Sequence, residues 1–135
     1  MSDQVNLAGF HHATLTVTDI NRSRDFYTGL LGLNVIAELS PTRLVLANDN
    51  LVLAISEPPD PSRAIEDDSF DENRVGLDHI SFGVASRQEL ERSRQLFDAA
   101  GVGYGEIKDL APFGISVMSF FDPDNIQLEL SAPLE

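Results

Sequence analysis

The run Phe10-His11-His12-Ala13-Thr14-Leu15-Thr16-Val17 constrains the fold most, because its polar and apolar residues alternate. Successive side chains of a strand point to opposite faces, so His12, Thr14 and Thr16 share a polar face and Ala13, Leu15 and Val17 a greasy one. By the same alternation His11 falls on the face away from His12. The phase recurs at His79-Ile80-Ser81-Phe82-Gly83-Val84, and Ile126-Gln127-Leu128-Glu129-Leu130 sets Gln127 and Glu129 opposite three aliphatics. Two imidazoles and a carboxylate on the polar faces of three strands form a metal-ligand set.

The surrounding pattern is duplicated. Asp19 is placed to cap a helix that carries Ile20, Tyr27, Leu30 and Leu31 and stops at Gly32. Ser86 with Glu89 forms a capping box for a second helix, whose buried stripe is Leu90, Ser93, Phe97 and Ala100 and whose end is Gly101. Each helix precedes three strands: Val35 to Leu39, Arg43 to Ala47 and Leu51 to Ile55 in the first half, then Tyr104 to Ile107, Ile115 to Phe121 and Ile126 to Leu130. The spacing between His12 and His79 is 67 residues, and between Gly32 and Gly101 it is 69. Two copies of a strand-helix-three-strand unit follow, covering about residues 8–57 and 76–133. The stretch 58–75 is acidic and proline-bearing, the composition of a mobile linker. A curved sheet with helices on its convex side leaves Thr14, Ser81 and Gln127 on the concave side, as substrate contacts beside the ligand set. Phe113, Met118, Phe120 and Phe121 read either as lining of an apolar pocket or as core.

Composition removes several functions. No cysteine is present, so disulfides, thiolate ligands and a cysteine nucleophile are excluded. A formal charge of −13 repels phosphate backbones, which argues against a nucleic-acid partner. No run approaches the roughly 18 apolar residues of a membrane span, and Met1-Ser2-Asp3-Gln4 lacks the features of a leader. The expectation is a cytoplasmic protein acting on a small molecule.

These residues resemble the vicinal oxygen chelate superfamily, which includes glyoxalase I, extradiol dioxygenases, fosfomycin-resistance transferases, methylmalonyl-CoA epimerases and bleomycin-binding proteins. The likeness rests on His12 through Asp19, Arg24-Asp25-Phe26-Tyr27 through Leu31-Gly32-Leu33, Asp78-His79-Ile80-Ser81, and Phe121-Asp122-Pro123-Asp124-Asn125 through Glu129. It implies an α+β fold of two βαβββ modules forming a U-shaped, eight-stranded, partly open barrel, often across a homodimer. It also implies that His12, His79 and Glu129 bind one divalent ion (Fe, Mn, Zn, Ni or Co). Glyoxalase I adds a Glu in the last strand of its first module, where Leu51-Val52-Leu53-Ala54-Ile55 offers only aliphatics.

The reading that follows is a metal-dependent, glyoxalase-like lyase or isomerase that chelates a substrate through adjacent oxygens and stabilises an enolate-like oxyanion. Glu38 and Glu106 are the candidate general bases. An Fe(II) extradiol dioxygenase suits the two-His-one-carboxylate set but lacks a further pocket His. A fosfomycin-type thiol transferase fits Thr14, yet the sequence ends six residues after Glu129, short of the Arg such enzymes supply. A drug- or metabolite-sequestering protein, the reading from another class, has no need of a ligand set.

Overall fold

The computed structural model describes residues 3–135. The chain is α+β and forms two compact units, Met1–Ser62 and Arg63–Glu135. In the first, β1 (Ala13–Thr16) leads to α1 (Ile20–Asp25), a single π-helical turn (Phe26–Leu30), β2 (Asn34–Ser40), β3 (Arg43–Ala47) and β4 (Val52–Ser56). In the second, β5 (Ile80–Gly83) leads to α2 (Arg87–Ala100), β6 (Lys108–Leu110), β7 (Ile115–Phe121) and β8 (Gln127–Pro133). Each unit holds one open four-stranded sheet, in the orders β1-β4-β3-β2 and β5-β8-β7-β6.

The duplication reaches individual hydrogen bonds. β1 pairs parallel with β4 as β5 does with β8, and just beyond them Val17 N donates to Ser56 O and Val84 N to Ser131 O, both at 2.9 Å. Both helices start on side-chain caps: Asp19 Oδ1 accepts from the amides of Asn21 and Arg22 at 3.0 and 3.1 Å, and Ser86 Oγ from Glu89 N at 3.3 Å. Glu57 adds to the first cap, its Oε2 accepting from Ile20 N at 3.0 Å. The box at Ser86 is one-sided, since the Glu89 carboxylate instead accepts from Arg92 at 2.7 Å. The glycines that end the helical segments, Gly32 and Gly101, hold φ of 72° and 69°, a left-handed turn that a side chain would strain.

Each core lies between helix and sheet. On the helix side of the first sheet Leu15, Ile55 and Leu44 stand in register and are buried, with Val17, Ile20 and Tyr27 sealed nearby. On the second, Ile80, Leu128 and Phe120 form one row, and Phe82, Leu130 and Met118 the next. Leu90 and Phe97 of α2 complete this core, and Phe97 stacks on Phe120 with ring centroids 4.7 Å apart.

Several sequence expectations are corrected. Ala100 is exposed, because it sits on the last residue of α2, where the stripe has already left the sheet. Strand β6 begins at Lys108, and the stretch from Tyr104 contributes a lone bridge to Phe120. Of the four residues read as pocket or core, Met118 and Phe120 are fully buried core, whereas Phe113 stands 77% exposed. The linker contains a 3-10 turn at Pro61–Arg63, and Phe70 is tied to the last turn of the second unit through Asp124 O at 2.9 Å and Asn125 Nδ2 at 3.0 Å.

Candidate metal centre

The polar row of the second sheet places Ser81 beside Glu129, and Glu129 beside Ser119, on the face opposite Leu128 and Phe120. His79 lies one residue before β5, outside the strand proper, and its ring turns to the same face. Its Nε2 stands 3.7 Å from Glu129 Oε1. Around this pair runs a continuous polar chain. Gln127 Nε2 donates to Asp78 Oδ1 at 3.1 Å, and that oxygen lies 2.7 Å from His79 Nδ1. On the other flank Ser131 Oγ donates to Glu129 Oε1 at 3.2 Å and meets Ser81 Oγ at 2.5 Å.

The chemistry of this pair is that of two donors facing one another. A carboxylate only accepts, so Asp78 takes the Nδ1 proton of His79, and in the neutral imidazole Nε2 is then the nitrogen with the lone pair. A lone pair on Nε2 and the Glu129 carboxylate, 3.7 Å apart, are two donors that a proton or a metal ion between them would hold together. Two protein donors on one first-row ion, at bond lengths of roughly 2.0–2.2 Å, stand roughly 3.0–3.6 Å apart. His79 and Glu129 therefore fit a shared metal with a shift of tenths of an ångström.

His12 occupies the equivalent place in the first unit, one residue before β1, and is exposed. Its Nδ1 lies 2.7 Å from His11 Nδ1. Thr14, also exposed, pairs with Ala54. Ala54 thus holds the register position that Glu129 holds beside Ser81, so the first module has the histidine without the carboxylate. Among the described residues, no group of three or more His, Cys, Asp or Glu side chains stands together as a metal site. The second unit brings together His79, Glu129, Ser81 and Gln127, while His12 and Thr14 belong to the first unit.

The two candidate bases each fall on the helix side of their own sheet. Glu38 pairs with Leu44, so by register it shares the face of Leu15 and Ile55, opposite Thr14. Glu106 lines an open groove of about 450 Å³ with Arg87, Glu91, Arg94 and Tyr104, on the α2 side of its sheet and away from Glu129. Sequence reasoning passed over Asp78 and set His11 aside. The signal that could have found them is a glycine three residues before each histidine: Gly9 and Gly76 hold φ of 135° and 138°. The chain enters both strands through the same bend, and strand alternation begins only after the histidines.

A model of the Glyoxalase/Bleomycin resistance protein/Dioxygenase superfamily matches residues 9–130. Uncharacterized protein YwkD of Bacillus subtilis (strain 168) is 28% identical over 131 residues, 92% of this chain and 96% of that protein. The glyoxylase/bleomycin resistance protein/dioxygenase domain from Frankia sp. EAN1pec superposes with a TM-score of 0.76 at 28% identity, covering 95% of this chain and 99% of that one. The fosfomycin resistance protein FosX of Listeria monocytogenes, crystallised with Mn(II) and sulfate, shares the fold with a TM-score of 0.73 at 23% identity, covering 95% and 92%. No helix among the described residues is long and apolar enough to cross a membrane.

Proposed function

Since this chain belongs to the Glyoxalase/Bleomycin resistance protein/Dioxygenase superfamily, the vicinal oxygen chelate group, we propose that it is a metal-dependent lyase or isomerase, with His12, His79 and Glu129 as ligands of one divalent ion. The observation that carries this reading is His79 Nε2 facing the Glu129 carboxylate at 3.7 Å, a pair of donors that a cation would bridge. The Mn(II) of the FosX crystal supports the choice of a divalent ion. When bound, such an ion supplies a Lewis acid for two adjacent substrate oxygens. Ser81 and Gln127 flank the pair and are proposed to orient the substrate, with Thr14 contributing from the first module. Two histidines and one carboxylate leave up to three coordination positions for substrate and water.

Lewis-acid chemistry needs no electron transfer, so a redox-silent metal suffices. Protein loaded separately with Zn²⁺ and Fe²⁺ is to be incubated, both without O₂ and in air, with 2-oxoaldehyde hemithioacetals, acyl-CoA thioesters and catechols. Turnover of a hemithioacetal or thioester by the Zn²⁺ form is the expected result. Ring cleavage confined to Fe²⁺ protein in air would replace this reading by a dioxygenase, and tight binding without turnover would replace it by a sequestering protein.

The protein is further proposed to be a homodimer. Strand β2 is a sheet edge that exposes Val35, Ile36 and Leu39, and open apolar edges invite pairing. Sedimentation at micromolar concentration should give twice the chain mass of 14.8 kDa. A single-chain mass would rule the dimer out.

A further inference from the structure

Each proposed ligand histidine is contacted at Nδ1 by the residue immediately before it. The distances are equal: 2.7 Å from Asp78 Oδ1 to His79 Nδ1 and 2.7 Å from His11 Nδ1 to His12 Nδ1. Neighbours in a regular strand point apart. Here the strands start at Ala13 and Ile80, and the positive-φ glycines Gly9 and Gly76 bend the chain ahead of them, so consecutive side chains can meet. The same bend and the same contact in both modules, on different side chains, set a common geometric condition at both imidazoles.

We propose that Asp78 and His11 are positioning residues that fix which nitrogen of His79 and of His12 is the free donor. This inference rests on the metal reading above. An imidazole must present a deprotonated nitrogen to a metal, and holding the proton on Nδ1 reserves Nε2 for that purpose. Asp78 can only accept, so the direction of its bond is settled by chemistry. Gln127 holds the accepting oxygen in place through its own donor at 3.1 Å. In the first module His11 does the same when its Nδ1 is the unprotonated nitrogen, which then accepts from His12. Asp78 differs from His11 in carrying charge, so its hold on the tautomer is the stronger.

The test reads the tautomer directly in metal-free protein, from two-bond ¹H–¹⁵N correlations of the imidazole rings, alongside Co²⁺ affinity. Native protein should show His79 protonated at Nδ1. The Asp78→Ala variant should lose that preference and bind Co²⁺ about 10–100-fold more weakly, the usual effect of removing the outer partner of a ligand histidine. Asp78→Asn should retain the tautomer, because Gln127 keeps the side-chain oxygen turned to His79. His11→Ala should alter His12 and leave His79 unchanged. An unaltered His79 tautomer in Asp78→Ala would overturn the proposal, and so would equal losses in the Ala and Asn variants. Native protein that binds no Co²⁺ while Asp78→Ala still changes the His79 tautomer would contradict the metal reading and leave the positioning role standing.

Discussion

Replacing His79 by alanine is expected to lower divalent-metal affinity by more than roughly 100-fold, beyond the 10–100-fold range typical of losing an outer partner. The second unit supplies two donors at 3.7 Å, and the substitution leaves Glu129 alone. Stability should hardly change. The His79 side chain is 38% exposed, so its removal opens no core cavity. Metal analysis after gel filtration, with thermal melts of both proteins, separates the two effects. Undiminished metal in His79→Ala would remove the histidine from the site.

Phe97→Ala is expected to be the most destabilising single truncation, at about 3–5 kcal/mol. Phe97 is 2% exposed, stacks on Phe120 at an interplanar angle of 19°, and lies 6.0 Å from the Tyr104 ring. It stands near the C-terminal end of α2, which reaches its sheet through Leu90, Ser93 and Phe97. Losing one of these three contacts opens a cavity that helix and sheet cannot both close. Against a total stability of about 5–15 kcal/mol, the loss should lower the midpoint of urea unfolding markedly. A midpoint shift equivalent to less than about 1 kcal/mol would show that α2 does not depend on this ring.

What was legible in the chain was what local chemistry determines. Asp19 and Ser86 cap helices because their side chains reach amides two or three residues on, and nothing distant is needed. The polar face carrying Ser81 and Glu129 follows from the two-residue period of strands, which the register of β5 on β8 bears out. The environment of the histidines was harder to see. Alternation was extended back through His11, but the strand begins at Ala13 and the bend at Gly9 releases the residues between from that rule. The contact of Asp78 with His79 was hidden for the same reason. The sheet face that Glu38 takes was not legible either, because β2 carries register shifts between Val35 and Ala37 and between Glu38 and Ser40. Such irregularities move a side chain to the other face and leave no mark in composition. The π-helical turn at Phe26–Leu30 likewise replaces the end of what the apolar spacing gives as one continuous helix.

The measurement closest to the central claim is electron spin echo modulation of the Mn²⁺-loaded protein, which counts the imidazole nitrogens bound to the ion. Two histidine nitrogens in the native protein and one in His12→Ala are the expected result. A native spectrum without histidine coupling, or a His12→Ala spectrum that still counts two, would contradict a site built from His12, His79 and Glu129.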